Sequence, residues 1–274
     1  MVNFLKLIRF NNYIKNVVIF FAVIFIKNIT ANQLFFLFIT FIAFCLVSSS
    51  VYIINDIIDF ENDIKHPIKS KRIIASKKIS LKNAFLIAIL LLLFGLILTS
   101  SINKILLLFL AVYFLLNLLY SFFLKKIFIL NSILIALFFV IRIYAGFLTL
   151  NIEPNTFFIF LIFSNSLFFA FLKRKQDNYF IKNNSFKTKA TNIFTITSLF
   201  LTLFINLFFA LKFNSIIVYS FVFFYVIFLL SIYITSLKNK SYTIDIITKR
   251  KLDLVLLIIL LSHIAIYILK IIKI

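Results

Sequence analysis

The stretch that decides the fold runs from Leu34 to Arg72 and reads LFFLFITFIAFCLVSSSVYIINDIIDFENDIKHPIKSKR. Its first part, Leu34–Ile54, carries no charge, and acidic and then basic residues follow directly. A membrane-spanning α-helix needs about 20 mostly apolar residues. The stretch therefore predicts a spanning helix that ends at a charged, water-facing surface.

Eight further apolar runs are bounded by polar or charged residues in the same way. In lipid, helices and closed barrels satisfy their backbone polar groups internally. We therefore predict an all-α, multi-pass membrane bundle of about nine transmembrane helices, forming one integral membrane domain over residues 1–274. The nine predicted spans are Tyr13–Ile29, Leu34–Ile54, Ala84–Thr99, Ile105–Leu124, Ile127–Leu150, Thr156–Leu172, Asn192–Leu211, Ile216–Leu237 and Leu252–Leu269.

The composition excludes soluble and β-rich folds. Hydrophobic residues make up 64% of the chain and charged residues 14%, whereas a soluble domain carries about a quarter charged residues. Two glycines are too few for a Gly-rich nucleotide fold, and one cysteine excludes a disulfide framework. The net charge of +21 would suggest nucleic acid in a soluble chain. In a membrane protein the distribution of charge matters more, and we predict no nucleic-acid partner.

The basic residues predict the orientation in the membrane. Of the 29 Lys and Arg residues, 23 lie in the N-terminal segment or in the loops after the even-numbered spans. The positive-inside rule places these segments, with the N-terminus, in the cytoplasm. The first apolar run resembles a signal peptide, but Lys27 and Asn28 follow it without a small-residue cleavage site, so we interpret it as a retained span.

Acidic residues are concentrated directly after the second predicted span. If that helix continues, Asp56, Asp59 and Asp63 share one face, and Asn55 lies one turn from Asp59. Three carboxylates on one face repel each other unless a cation lies between them. Oxygen ligands of this kind suit Mg²⁺ held together with substrate phosphates. The alternative is a solvated acidic helix end, but acids are otherwise scarce in the chain.

A basic segment follows the acids. Pro67 is expected to end the helix, so that Lys69 and Arg72 fold back toward the carboxylates. Carboxylates with Mg²⁺, flanked by Lys and Arg, form a diphosphate-binding site. His66 either bonds a phosphate or packs. For Lys71, Lys77 and Lys78 we prefer the simpler interpretation that they set the membrane orientation.

Arginine is rare in this lysine-rich chain, which has 24 Lys and five Arg. Because lysine already supplies the charge that orientation needs, a retained arginine favours a two-pronged contact with phosphate. This applies to Arg9, Arg72 and Arg174. Arg142 lies inside the fifth span, and two interpretations stay open: a functional intramembrane residue or a side chain that snorkels to the interface.

A second polar group follows the sixth span as Lys173, Arg174 and Asp177. Tyr120 and Lys125 lie at the predicted cytoplasmic end of the fourth span. Because all of these share one side of the membrane with the acidic segment, we expect them to line the same cavity.

With nine spans and an N-D-x-x-D-x-x-x-D stretch after the second, the chain resembles the UbiA-type intramembrane prenyltransferase superfamily. It is most similar there to the decaprenyl-phosphate phosphoribosyltransferase subgroup, which has H-P-x-K-x-x-R after its aspartates, present here from His66 to Arg72. The subgroup's opening R-P-x-Q-W-x-K-N is matched in part by RFNNYIKN, Arg9–Asn16. In that opening, Phe10 and Tyr13 replace the proline and the tryptophan. Later in the chain, Ile73 replaces a proline, Lys77 a glycine and Asn131 an acidic residue of the subgroup.

The resemblance implies a UbiA-like fold and Mg²⁺-dependent transfer of a 5-phosphoribosyl group from phosphoribosyl pyrophosphate to a polyprenyl monophosphate, which releases pyrophosphate. It implies a bacterial inner membrane location with a cytoplasmic active site, and leaves a homo-oligomer open. Asp56, Asp59 and Asp63 would hold Mg²⁺, and Asp56, Asp59, Lys69 and Arg72 would be catalytic. The implied substrate contacts are Lys15, Asn16, Asn55, His66, Tyr120, Lys125, Arg142, Lys173, Arg174 and Asp177.

Two alternative functions stay open. The first is transfer of a prenyl group from a prenyl diphosphate to an aromatic acceptor. Enzymes of that kind carry a second aspartate-rich motif after span six, where this chain has only Asp177. The second is a non-enzymatic lipid or ion transporter. Acids in the middle of spans would favour it, but the predicted cytoplasmic acids here lie at loop or interface positions.

Overall fold

The computed structural model describes residues 2–26, 28–154, 156–180 and 185–213, together with Leu229 and Tyr233. These residues form helices and connecting turns, with no strand among them. Three segments are 3₁₀ helices: Phe10–Phe25, Lys69–Lys71 and Leu124–Lys126. The α-helices are α1 (Val2–Leu7), α2 (Ala31–Ile58), α3 (Phe60–Lys65), α4 (Leu81–Ser100), α5 (Lys104–Phe122), α6 (Phe128–Leu150), α7 (Thr156–Phe180) and α8 (Ser185–Phe213).

Six of these helices are long and apolar enough to cross a membrane: α2, α4, α5, α6, α7 and α8. They confirm the second to seventh predicted spans and the all-α, multi-pass architecture. The eighth and ninth predicted spans, Ile216–Leu237 and Leu252–Leu269, lie outside the described residues apart from Leu229 and Tyr233.

The first predicted span forms a 3₁₀ helix rather than an α-helix. It covers 16 residues, Phe10–Phe25, and follows Arg9, which has left-handed backbone angles (φ 51°, ψ 49°). A 3₁₀ helix rises about 2.0 Å per residue. Sixteen residues therefore extend about 32 Å, compared with about 24 Å in an α-helix. This length is close to the thickness of a hydrocarbon layer, about 30 Å, and the crossing of the membrane by this segment stays a prediction.

Polar caps determine where several spans begin. Thr30 and Gln33 form a reciprocal capping box at the start of α2. The Ser80 side chain accepts from the backbone N–H of Asn83 at 3.2 Å and caps α4. Asn103 caps α5 through its side-chain oxygen. These caps explain why each helix begins one to three residues before the apolar run predicted from the sequence.

The described chain divides into two compact units. The first comprises Met1–Asn131 and Ile141–Glu153, and the second comprises Ser132–Val140 and Pro154–Ile274. The expectation of one membrane domain over residues 1–274 stays a prediction.

In the first unit, α4 packs on α2 through small residues. The buried positions of α4 are Ala84, Ala88, Gly95 and Thr99. A Cβ at Gly95 would lie 2.6 Å from Cγ2 of Val47, so this close approach needs glycine. Large side chains such as those of Leu93 and Phe94 face outward. This inversion is typical of helices that pack in lipid, where small residues form the contact.

The 3₁₀ helix Phe10–Phe25 packs equally closely on the last turns of α6. A Cβ at Gly146 would overlap the carbonyl oxygen of Ile19. The second glycine of the chain is thus also placed by a helix contact.

In the second unit, α7 packs on α8. Phe168, Phe169 and Leu172 form a buried cluster with Leu199 and Leu229. The Thr202 hydroxyl of α8 donates to the Ser164 carbonyl of α7 at 3.0 Å.

Candidate functional site

The acidic segment does not form one continuous helix. Helix α2 ends at Ile58, Asp59 lies between the helices with φ −89° and ψ 6°, and α3 begins at Phe60. The break separates Asp59 from Asp56 and Asp63, so the three carboxylates do not face one point. Among the described residues, no three His, Cys, Asp or Glu side chains come close enough together to hold a metal ion.

Asp56 and Asp63 belong to an arginine–aspartate cluster with Arg9 and Arg72. Nη1 of Arg72 donates to Oδ1 of Asp56 at 2.9 Å and to Oδ2 of Asp63 at 2.6 Å. Nη2 of Arg9 donates to the same oxygen of Asp56, and the guanidinium of Arg9 lies over the Tyr52 ring. Asp56 is 7% exposed and Asp63 is 2% exposed. Arg72 thus folds back onto the carboxylates, as expected, and neutralises two buried charges.

Asp59 belongs to a separate lysine–aspartate cluster with Asn55 and Lys125. Nζ of Lys125 lies 2.6 Å from Oδ1 of Asp59 and 3.4 Å from Oδ1 of Asn55. Nδ2 of Asn131 donates to the backbone carbonyl of Lys125 and holds the turn that presents it. A single ammonium group therefore lies between two side-chain oxygens.

The lysine–aspartate cluster offers two side-chain oxygens to a divalent cation, and the expectation that Asp56, Asp59 and Asp63 together hold Mg²⁺ stays a prediction. Mg²⁺ is usually held by one or two carboxylates together with waters and substrate phosphates, not by a cage of protein ligands. The Asp59 and Asn55 oxygens already have one positive group between them. Asp56 and Asp63 each have one oxygen, Oδ1 and Oδ2 respectively, bonded to arginine.

His66 organises the basic segment. Its Nδ1 accepts from the backbone N–H groups of Ile68 at 3.2 Å and Lys69 at 3.3 Å. The imidazole thereby stabilises the turn after Pro67 that carries Lys69 and Arg72. Since Nδ1 is used by the backbone, Nε2 is the ring atom left to contact a substrate.

Two of the departures from the related subgroup, Ile73 and Lys77, lie directly after this segment. Ile73 and its neighbour Ile74 are buried and pack against Leu7 and Ile53. Lys77 has a φ of 57°, in the left-handed region where glycine is favoured. Lys77 therefore adopts the left-handed backbone conformation that a glycine would favour at this position.

A cavity of about 340 Å³ adjoins the arginine–aspartate cluster. We call it the basic cavity. Its charged lining residues are five cations and one acid: Lys6, Arg9, Lys69, Lys71, Arg72 and Asp56. The structure therefore brings Lys69, Arg72 and Asp56 together, and it adds Lys6 and Lys71, which sequence reasoning did not assign to a site.

Arg142 lies in the interior and does not snorkel. It is 4% exposed. Its Nε donates to Oδ1 of Asn16 at 2.7 Å, and its Nη2 donates to the Tyr113 hydroxyl at 2.7 Å. Nδ2 of Asn16 in turn lies 3.3 Å from both Sγ of Cys45 and Oγ of Ser48. Cys45 thus belongs to a polar network that also includes Tyr113.

The remaining predicted site residues are placed as follows. Lys15 lies in the first 3₁₀ helix next to Asn16, Tyr120 lies near the end of α5, and both are half-buried. Lys173 and Arg174 lie on α7 in the second unit. The side chain of Asp177 lies outside the described residues. That these last residues line the same cavity as the acidic segment stays a prediction.

The chain is similar to two curated proteins that share a name. It is 35% identical to the decaprenyl-phosphate phosphoribosyltransferase of Mycolicibacterium smegmatis over 136 residues, which make up 50% of this chain and 43% of that protein. It is 32% identical to the protein of the same name from Corynebacterium glutamicum over 138 residues, 50% of this chain and 42% of that protein. The matches therefore span less than half the length of these relatives.

Among solved structures, the fold is similar to that of a UbiA homolog from Archaeoglobus fulgidus bound to GPP and Mg²⁺. The TM-score is 0.74 at 18% identity, over 99% of this chain and 100% of that one. At this identity the likeness shows the fold alone. The sequence pattern of the UbiA prenyltransferase family matches residues 16–251, which include both charged clusters except Arg9. The chain therefore belongs to the UbiA prenyltransferase family.

Proposed function

We propose that the chain transfers a 5-phosphoribosyl group from phosphoribosyl pyrophosphate to a polyprenyl monophosphate and releases pyrophosphate. The observation that carries the proposal is the position of Arg72, bonded to Asp56 and Asp63 and lining the basic cavity with Lys69. The H-P-x-K-x-x-R segment, which is typical of the phosphoribosyltransferase subgroup, thus contacts the acidic segment, which is typical of the whole superfamily. The names of the two curated relatives support the same transferred group and the same class of acceptor.

The two charged clusters have different roles in binding the donor. Asp59, with Asn55, offers oxygens to a divalent cation, and Lys125 turns from Asp59 toward a pyrophosphate oxygen. Asp56 and Asp63 orient Arg72, so that its remaining N–H groups face an anionic substrate. Mg²⁺ bound here would neutralise charge that develops on the leaving pyrophosphate.

The chemistry needs no strong base. A phosphate oxygen of the acceptor attacks C1 of the ribose, and the bond from C1 to the pyrophosphate oxygen breaks. The acceptor phosphate is already ionised near neutral pH. Catalysis therefore rests on positioning the two anions and on stabilising the departing charge, in which Lys69 and Arg72 take part with Lys15.

The membrane separates the two substrates before they meet. The polyprenyl tail lies along the outward apolar faces of helices such as α4. The water-soluble donor enters from the side that carries most of the Lys and Arg residues, which the positive-inside rule makes cytoplasmic. The similarity to the two bacterial relatives supports a location in a bacterial inner membrane.

A transfer assay on detergent-purified protein tests this proposal. Labelled phosphoribosyl pyrophosphate, polyprenyl phosphate and Mg²⁺ are supplied, and the labelled lipid is extracted. Asp59→Ala should reduce the rate by about 100-fold or more, and a chelator should do the same. Glu61→Ala is the matched control, because Glu61 is exposed, lies in the same segment and has no ion pair in the described part of the chain.

Labelled lipid that is lost with Asp59→Ala and with the chelator, and retained with Glu61→Ala, would support the proposal. No labelled lipid from a folded, monodisperse sample would overturn the donor assignment. Product formed instead from a prenyl diphosphate and an aromatic acid would assign the alternative transferase.

A further inference from the structure

The junction between α1 and the first 3₁₀ helix has a backbone conformation that needs support. Arg9 has left-handed backbone angles there, which are unfavourable for a residue with a Cβ atom. The backbone N–H groups of Ile8 and Asn12 bond to neighbouring carbonyls, but no described backbone N–H bonds to the carbonyl of Ile8. The position of Arg9 must therefore be held by contacts with another part of the chain.

Ser49 of α2 supplies such a contact. Its side chain is completely buried, and its hydroxyl donates to the Ile8 carbonyl at 2.8 Å. The Cys45 carbonyl of the same helix lies at an equal distance. Because the single hydroxyl proton is directed to these carbonyls, Tyr13 is the donor in the 3.0 Å bond between the Tyr13 and Ser49 hydroxyls. Ser49 thus connects α2 to the chain on both sides of Arg9.

Two further residues on the same face of α2 hold the guanidinium of Arg9. Tyr52 and Asp56 follow Ser49 at the i+3 and i+7 positions, so the three side chains share one stripe of the helix. The centre of the Tyr52 ring lies 5.0 Å from Cζ of Arg9, and Asp56 accepts from Nη2. One helix therefore fixes both the backbone and the side chain of Arg9.

We propose that Ser49 is a positioning residue, which holds the junction so that Arg9 stays at the wall of the basic cavity and contacts the diphosphate of the donor. This inference rests on the proposed function in so far as Arg9 contacts that donor. Without the Ser49 hydroxyl, the Ile8 carbonyl loses its partner in a buried position, which is costly. The junction then relaxes, and the guanidinium moves away from Asp56 and from the substrate.

The next residue of α2 provides a matched control. Ser50 is as completely buried as Ser49, but its hydroxyl has no hydrogen-bond partner among the residues that the structure describes. Ser50→Ala therefore removes the same atom from the same helix without breaking a bond to the junction. Any difference between Ser49→Ala and Ser50→Ala reports on the bonds of Ser49.

Binding of pyrophosphate in the presence of Mg²⁺ measures the effect without a transfer reaction. Pyrophosphate is the group that phosphoribosyl pyrophosphate and a prenyl diphosphate have in common. It is titrated calorimetrically into the full-length, detergent-purified protein. We expect Arg9→Gln to weaken binding about tenfold and Ser49→Ala about fivefold, because each loses all or part of one charge-assisted contact. Ser50→Ala should bind within about twofold of the wild type.

The double variant Ser49→Ala/Arg9→Gln separates positioning from a general loss of structure. If Ser49 acts through Arg9, the double variant binds within about twofold of Arg9→Gln, because no arginine remains to be misplaced. A further weakening of about fivefold would show that Ser49 acts independently of Arg9 and would overturn the proposal. Equal binding by Ser49→Ala and Ser50→Ala, or a wild type that does not bind pyrophosphate, would overturn it as well.

Hydrogen exchange of the backbone amides from Arg9 to Asn12 tests the same contact without any ligand. Exchange should be about tenfold faster in Ser49→Ala than in the wild type and unchanged in Ser50→Ala, because only the first variant releases the junction. Equal rates in the three proteins would contradict the proposal. Neither measurement needs the sugar or the acceptor, so a wild type that makes no labelled lipid would refute the proposed transfer and leave the role of Ser49 to be decided here.

Discussion

Replacing Arg72 with glutamine leaves Asp63 without its cationic partner and leaves Asp56 with Arg9 alone. Breaking a buried ion pair on one side costs about 3–5 kcal/mol, because the remaining charge stays buried. Here the Asp63 side chain is 3% exposed but that of Arg72 is 28% exposed. Water therefore reaches one partner, and we expect Arg72→Gln to lower the free energy of unfolding by about 2–3 kcal/mol.

A second substitution should restore part of this lost stability. Asp63→Asn removes the unpaired buried charge, so in the Arg72→Gln background it should restore about 1–2 kcal/mol. In the wild-type background the same substitution should destabilise the protein, because it breaks the 2.6 Å bond. The sign of its effect thus depends on whether Arg72 is present, and the coupling energy between the two positions should exceed about 1 kcal/mol.

Equilibrium unfolding of the four proteins in mixed micelles with increasing sodium dodecyl sulfate measures this cycle. Lys71→Gln is the control: it removes a charge next to Arg72 without breaking an ion pair, and should change the free energy of unfolding by less than about 0.5 kcal/mol. If the effects of Arg72→Gln and Asp63→Asn on the free energy of unfolding add within about 0.5 kcal/mol, the two side chains do not interact. That result would contradict the ion pair between them in the arginine–aspartate cluster.

Three other substitutions or treatments probe separate parts of the fold and the site. In the transfer assay, Asp59→Asn should resemble chelation of Mg²⁺ and reduce turnover by about 100-fold; a rate within twofold of the wild type would exclude Asp59 as a metal ligand. Lys77→Gly relieves about 1–2 kcal/mol of left-handed strain and costs about 0.5–1 kcal/mol of chain entropy, so unfolding measurements should show a gain centred on about 0.75 kcal/mol and no larger than about 1.5 kcal/mol. A loss there would mean that the left-handed conformation of Lys77 is incorrect. Gly146→Ala places a methyl group on the Ile19 carbonyl oxygen, which cannot rotate away, and should destabilise the protein by about 1–3 kcal/mol in the same measurement; an unchanged stability would contradict this helix contact.

The positions of most spans could be predicted from the sequence, because crossing a membrane needs a minimum length of apolar residues and little else. The winding of the first span could not be predicted in this way. An apolar run such as Tyr13–Ile29 has the same composition in a 3₁₀ as in an α-helix, and its structure depends on contacts with other helices. The approach of Gly146 to Ile19 and the bonds of Asn16 to α2 are such contacts.

The composition of the site could also be predicted, but its pairing could not. The spacing of Asp56, Asp59 and Asp63 places them on one face only if the helix continues, and it stops at Ile58. Which cation meets which carboxylate is then decided by distant parts of the chain: Lys125 is 66 residues from Asp59. Sequence spacing carries information about neighbours on one element and almost none about partners of this kind.

The charges of the two clusters and of the basic cavity favour the proposed phosphoribosyl donor over a prenyl diphosphate. Lys125 and the five cations of the basic cavity, with the three aspartates, give six positive and three negative side chains, a net charge of +3. One Mg²⁺ raises this to +5. A phosphate monoester carries close to −2 at neutral pH, and a pyrophosphate ester carries about −3, so phosphoribosyl pyrophosphate brings about −5 and a prenyl diphosphate about −3. A prenyl diphosphate would leave two positive charges without partners in a partly buried site. The proposed phosphoribosyl donor would neutralise both charges, provided that its terminal phosphate reaches the lysines that line the basic cavity.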